Sequence, residues 1–388
     1  MANGKFLPPK QNPLLTRLIQ SIFYLVMYFA YQIKLKVSDR DLALLKDIAD
    51  KRVIYLPNHS NLDDGLVMFL FSARLGQLFY YIVAYEAFEG SIGKLMQKVG
   101  AYSIRRGMGD RASIIKTLDI MQQEGSKLVI FPEGGCSYQN DTVMPFRTGG
   151  IELAFKALEK LAKQDIVPDL YLVPVSIKYW YRSDDNSQIE QSLQELETAL
   201  SIEPKQNDFY LRLRNIGAKI LNNLEAEYKI VPEPGQDWNQ RIALVKQQLL
   251  QYCEQQLNLT PATQLPNRER AYKIQAILAD LEQSETKSNI DYHHLRLTTV
   301  RLLNFDAIYD GYVAQKPTLE RFIATLDRLE REVFGIDRPK TKGMRQVEVK
   351  INTPINLRDY WPKNQSDRAI VVKKLTQTIQ QQIQANLN

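Results

Sequence analysis

Residues 53–66, VIYLPNHSNLDDGL, decide how this chain is read. Val53-Ile54-Tyr55-Leu56 is a short β-branched and aromatic run of the kind that forms a buried strand. Pro57 and Asn58 stop it, and a helix is expected over 63–75. The turn between them holds His59, one of only three histidines, with Asp63 and Asp64 following. Within a continuous helix a residue at i+4 lies about 40° around the axis and one at i+5 about 140°. Asp63 would therefore meet His59 only if the helix began at the histidine. Pro57 and Asn58 favour a loop there, from which Asp64 can fold back to the ring. A carboxylate on one ring nitrogen fixes the tautomer and leaves the other free to take a proton. That is general-base chemistry suited to a hydroxyl. The plainer alternative is a surface histidine near a helix start, since a lone HxxxxD pattern is short enough to arise by chance.

The same alternation extends from residue 38 to 182. Strand-like runs at Phe79–Val83, Tyr102–Ile104, Leu128–Phe131 and Tyr171–Ile177 are separated by helices expected over 90–98, 111–124 and 148–163. Asp110 marks one helix start, and Lys160 with Lys163 closes another. Crossovers of this length imply an α/β fold with a mostly parallel sheet flanked by helices. Beyond Trp180 strand signals fade, and 183–342 is rich in Gln, Glu, Lys and Leu. There Leu319, Phe322, Leu326, Leu329 and Val333 make one helical seam. Val347–Leu357 reads as a strand and turn, and the last twenty or so residues as a helix. Both suit the end of the first domain, so the expected organisation is 38–182 plus 343–388 as the α/β domain, with 183–342 as a helical insertion.

Residues 1–37 stand apart. The apolar run Leu18 to Tyr31 is about 21 Å long as a helix, against a hydrocarbon core of about 30 Å. Arg17, Gln20, Tyr24, Tyr28 and Tyr31 recur at spacings of three and four. Ile19, Ile22, Phe23, Val26, Phe29, Ala30 and Ile33 lie opposite. This describes a helix lying in a membrane interface; the alternative is a helix buried on the protein's own core. No small-x-small cleavage site follows, so no cleavable signal peptide is expected. The chain has 388 residues, a net charge of +6 and a pI near 9.0. Acids and bases alternate along it, which fits an anionic membrane surface or anionic substrates and no nucleic-acid partner. Cys136 and Cys253 have no CxxC or Cys/His spacing, which argues against a disulfide framework or zinc site and for a reducing interior.

Three further stretches carry candidate chemistry. In GAYSIRRGMGD (100–110), Arg105 and Arg106 end a strand before a glycine turn, a setting for a phosphate, or else a solvated basic turn. In VIFPEGGCSYQNDTVMPFRTGG (129–150), Glu133 and Gly134 follow a strand and Arg147 precedes a helix start. Cys136, after two glycines, is an alternative nucleophile, weighed against a small packing residue. In VPVSI (173–177), Pro174 implies an edge or bulge. His293 and His294 are adjacent and make a poor metal pair. No GxSxG elbow or P-loop occurs.

Together these stretches resemble the four sequence blocks of the glycerolipid acyltransferases, the 1-acylglycerol-3-phosphate acyltransferase family. The matching residues are Asn58-His59 with Asp64; Gly100 with Ile104-Arg105-Arg106; Phe131-Pro132-Glu133-Gly134 with Pro145-Phe146-Arg147; and Val173-Pro174-Val175. The resemblance covers about residues 1–182 plus the last strand and helix. It implies transfer of a fatty acyl group from acyl-CoA or acyl-carrier protein, as co-substrate, to a lipid hydroxyl, with 1-acylglycerol 3-phosphate the leading acceptor. A lysophospholipid, glycerol 3-phosphate or a lipid alcohol follow. His59 and Asp64 would be catalytic, and Arg105, Arg106, Glu133, Gly134 and Arg147 would bind substrate, with no metal or cofactor. The implied setting is peripheral or monotopic on membrane lipid, with the active site on the cytoplasmic side. A non-catalytic lipid-binding protein of the same fold is the rival reading. The family commonly continues its third block as Glu-Gly-Thr-Arg-Ser, where this chain has Glu133-Gly134-Gly135-Cys136-Ser137. An arginine suited to an acceptor phosphate is thus missing from the block.

Overall fold

A computed structural model describes residues 6–88, 90–162, 166–182, 186–203, 208–283, 290–361 and 367–388. The chain divides into two compact units. One is Met1–Arg105 with Asp110–Trp180 and Met344–Asn388; the other is Arg106–Gly109 with Tyr181–Gly343. Lys163, expected to close a helix, lies outside the described residues.

The first unit is an α/β fold around one sheet. Its strands are β1 (Ile33–Val37), β2 (Val53–Pro57), β3 (Tyr80–Ala84), β4 (Ala101–Ile104), β5 (Lys127–Val129), β6 (Tyr171–Tyr181), β7 (Arg345–Ile351) and β8 (Ile355–Asn356). They run in the order β1-β7-β6-β2-β5-β3-β4, with β8 beside β6. Pairing is parallel for β1 with β7, β2 with β5 and β6, and β3 with β4 and β5; β8 is antiparallel to β6. The helices of this unit are α1 (Pro13–Phe29), α2 (Asp39–Ala43), α3 (Asp64–Arg74), α4 (Gly90–Lys98), α5 (Arg111–Gln122) and α6 (Gly149–Leu161), with a last helix at Arg368–Leu387.

β2 shows why its four apolar residues run without a break. Ile54 and Leu56 pack with Leu118, Phe155, Leu158 and Ile379 on one face of the sheet. On the other, Tyr55 stacks on Phe79 at 4.7 Å and meets Phe71 of α3 edge-on at 6.0 Å. A strand covered on both faces has no polar side to alternate with. The start of α5 is capped by Asp110, whose carboxylate accepts the Ser113 N–H.

Three expectations are corrected. Residues 33–37, read as the tail of the interface segment, form the edge strand β1 on β7. Pro174 is at neither an edge nor a bulge, because β6 is central and Pro174 pairs with Leu56 of β2. The N–H groups of Tyr171 and Ile177 both point to the β2 side. By the two-residue alternation the Pro174 nitrogen faces the other way. There the neighbour of β6 changes from β8 to β7, and the Pro174 carbonyl accepts the N–H of Asn352.

The third correction concerns α1. Gln20, expected on the wet edge, is buried, and its amide donates to Ser72 Oγ at 3.0 Å and the Gln77 carbonyl at 2.9 Å. Thr16 and Met27 share that inward side. Leu14, Leu18, Ile22, Leu25 and Phe29 are exposed, Phe29 by 75%, with Arg17, Tyr24 and Tyr28 also exposed along one flank. Of the row expected opposite the polar edge, Ile22, Val26 and Phe29 are exposed, whereas Phe23 meets Phe69 edge-on at 4.8 Å and Ile33 is buried. No helix among the described residues is long and apolar enough to cross a membrane.

The second unit is helical: α7 (Ser187–Ala199), α8 (Phe209–Glu227), α9 (Trp238–Gln256), α10 (Asn267–Gln283), α11 (Tyr292–Phe305), α12 (Tyr312–Gln315) and α13 (Leu319–Phe334), which makes the helix at Arg368–Leu387 α14. Leu193, Leu213, Ile216, Leu249, Leu295 and Leu326 share its core. Paired guanidinium–carboxylate contacts tie the helices together. Arg212 of α8 forks onto Glu197 of α7 at 2.7 and 2.8 Å and reaches Glu190 at 2.8 Å. Arg241 of α9 likewise pairs with Glu225 of α8.

Candidate active site

The loops after β2 and β5, on neighbouring strands, build a site at the carboxyl edge of the sheet, where open α/β sheets hold ligands. α3 begins at Asp64, so His59 lies in the loop. His59 Nδ1 is 3.0 Å from Asp64 Oδ2, and that oxygen also accepts the Asn61 N–H at 2.8 Å. Asp63 turns away and pairs with Arg345 of β7 at 3.0 Å. The Asp64 side chain is fully buried and the imidazole is 20% exposed, so the ring bridges interior and surface. With Nδ1–H donated to the carboxylate, Nε2 carries the lone pair.

The loop after β5 fixes the histidine backbone at both ends. His59 N–H donates to Glu133 Oε1 at 2.6 Å, and Ser137 N–H donates to the His59 carbonyl at 2.7 Å. Phe131 covers the imidazole, with ring centroids 4.4 Å apart. The second oxygen of Glu133 accepts the Met144 N–H at 3.0 Å, and the residue is buried. Glu133, expected to bind substrate, ties the histidine loop to Met144 through its two carboxylate oxygens. α14 braces this loop from outside: Gln384 Oε1 accepts the Val143 N–H and Gln380 Oε1 the Phe146 N–H.

Gly134 is held at φ +71°, and a Cβ there would lie 2.4 Å from the Arg147 guanidinium. Both the backbone conformation and the close approach require glycine. These two residues are thus brought together beside the strand that carries His59. Arg105 follows β4, three strands away across β5 and β3. At about 4.8 Å per strand this is roughly 14 Å along the edge. The Arg105 N–H donates to Asp110, and its charge opposes the upward push that burial gives Tyr85. Arg106 counts with the helical unit, its guanidinium 4.2 Å from the ring centroid of Tyr272. The expected arginine pair is therefore split between the two units. Cys136 is a half-buried thiol, and His294 stacks on Tyr228 in the helical unit.

Sequence reasoning missed Tyr179. Its hydroxyl donates to Asp64 Oδ1 at 2.6 Å. Burial, then the charges of Asp64 and Asp63, hold this phenol well above the usual tyrosine range despite Arg345 nearby. The one available signal was its place in a strand that continues past the end of β2. A family described as Acyltransferase matches residues 36–178. No curated protein is similar enough to match the chain.

Proposed function

We propose that this chain, whose residues 36–178 match the Acyltransferase family, is an acyl-transferring enzyme that moves a fatty acyl group from acyl-CoA or acyl-carrier protein to a lipid hydroxyl. The first candidate acceptor is 1-acylglycerol 3-phosphate, giving phosphatidate. The contact between His59 and Asp64 carries this reading. Nε2 takes the hydroxyl proton as the acceptor oxygen attacks the thioester carbonyl. Asp64 stabilises the imidazolium so formed, which then protonates the departing thiolate. Held near the acceptor, a base of this kind contributes about 10²–10⁴-fold in rate. Neither an acyl-enzyme nor a metal is required by these steps.

Arg147, packed on Gly134 one strand from His59, is the nearer cation for an acceptor phosphate. Arg105, farther along the edge, suits a phosphate on the donor's carrier. Docking on a membrane surface is supported by the exposed apolar row of α1, flanked by Arg17, Tyr24 and Tyr28. A different acceptor, such as a lysophospholipid, glycerol 3-phosphate or a lipid alcohol, is favoured by one observation. Gly135-Cys136 stands where the family carries Thr-Arg.

The test uses purified protein, phosphatidylglycerol-containing vesicles doped with each acceptor in turn, and labelled acyl-CoA or acyl-carrier protein. The labelled product identifies acceptor and donor. His59→Ala should slow transfer by about 10²–10⁴-fold. A variant as fast as the parent would refute the base; vesicle binding without transfer by either form would favour a lipid-binding protein.

A further inference from the structure

β2 stops hydrogen-bonding to β6 in its own right near Pro57↔Val175, yet β6 continues to Tyr181. Two asparagine side chains take over the vacated edge. Asn58 accepts the Ile177 N–H at 2.7 Å and donates to the Ile177 carbonyl at 3.0 Å. Asn140 accepts the Tyr179 N–H at 2.8 Å and donates to the Tyr179 carbonyl at 2.7 Å. Each amide replaces one rung of a ladder, so β6 stays extended and Tyr179 is held at a fixed place. Asn58 comes from the histidine loop and Asn140 from the loop after β5, the same two loops that hold His59.

The fixed phenol meets a carboxylate buried away from solvent. Asp64 is fully buried; its Oδ2 faces His59 and Asn61, and its Oδ1 receives the Tyr179 hydroxyl. We infer that Tyr179 is a positioning residue for the proposed base: it anchors one oxygen of Asp64 so that the other is aimed at Nδ1, and it draws off part of the negative charge felt by the imidazole. This rests on the acyl-transfer reading for its catalytic meaning but not for its physical content.

Other charges face the same point. Asp63 lies in the turn before α3, and Arg345 reaches in from β7, paired with Asp63 at 3.0 Å and 5.6 Å from the Tyr179 ring. Asp63 and Arg345 are paired with one another, and the Tyr179 hydroxyl donates to Asp64 Oδ1. Because burial and the two carboxylates hold its proton firmly, the phenol remains a donor throughout any working pH range.

The sign of the effect follows from the geometry. Without the hydroxyl, Asp64 is a less stabilised anion and holds an imidazolium more tightly. His59 in the variant then takes up its proton at higher pH than in the parent. A hydrogen bond to a charged group is strong enough to move a titration by about one pH unit.

The experiment follows the three imidazoles by NMR in full-length, histidine-labelled protein without substrate, with His59 assigned by its loss in His59→Ala. In Tyr179→Phe the His59 midpoint should rise by about one pH unit while His293 and His294 stay put. The acid limb of kcat/KM for acyl transfer should move up equally, with kcat falling and KM changing less than about twofold. In an Asp64→Asn background the same substitution should shift nothing. Site-specific 3-fluorotyrosine at 179, a stronger donor of nearly the same shape, should move the midpoint down and serves if Tyr179→Phe does not fold. An unchanged His59 midpoint in both variants, or an equal shift in the Asp64→Asn background, overturns the inference. A shifted midpoint in a protein that transfers no acyl group leaves this coupling standing and removes the functional reading instead.

Discussion

Gly134 shows how little freedom the site residues have. Its positive φ disfavours any side chain, and a methyl group would displace the Arg147 guanidinium from its seat. Gly134→Ala should cost about 1–3 kcal/mol of stability, read from denaturant unfolding. If Arg147 holds the acceptor phosphate, KM for that substrate should rise more than kcat falls. At this scale the sequence was informative where chemistry is local. The i+5 spacing in the VIYLPNHSNLDDGL stretch pointed to Asp64 rather than Asp63, and that is the carboxylate that meets the ring. It was silent where partners are distant. Tyr179 lies 115 positions from Asp64, and Glu133 carries no mark that its oxygens would be taken up by backbone N–H groups 74 and 11 positions away.

α1 inverts the usual arrangement of a surface helix. Its polar Thr16 and Gln20 are buried beside Met27 with their hydrogen bonds satisfied, and Leu14, Leu18, Leu25 and Phe29 face out. Periodicity identified an amphipathic helix, but pattern alone does not say that the glutamine, not the aliphatic row, meets the protein. Ser72 and Gln77 decide that, and both come from another element. Replacing Leu18 and Ile22 together with glutamate should therefore leave the fold intact. It should reduce binding to anionic vesicles by about a hundredfold or more in a sedimentation assay, since each large apolar side chain contributes about 1.5–3 kcal/mol when buried in lipid. Vesicle binding at the parental level would rule out this face as the docking surface. β1 was hidden for a related reason. IKLKV alternates lysine with apolar residues beside a long hydrophobic run, and its partner β7 lies more than three hundred positions away.

Across the whole molecule, two cores are held by different means. The helical unit relies on buried ion pairs as well as leucines, with Arg212 joined to Glu197 and Glu190. Arg212→Ala leaves a buried carboxylate without its guanidinium and should cost about 3–5 kcal/mol, measured by chemical denaturation. Cys253 sits in that same core, where burial pushes its thiol up to about 12. Iodoacetamide at pH 8 should not alkylate it until denaturant is added, as mass spectrometry of peptides would report. Alternation of strands and helices made the α/β class legible, and the loss of strand signals past Trp180 coincides with the run of helices α7 to α13. Residues 106–109 join the helical unit, where Arg106 meets the Tyr272 ring, a contact that no local pattern announces. The central claim is that Asp64 steers His59 as a base. The rate of labelled acyl transfer by Asp64→Asn on acceptor-doped vesicles tests it most directly. A fall of about 10²–10⁴-fold with unchanged vesicle binding is predicted; turnover at the parental rate would contradict it.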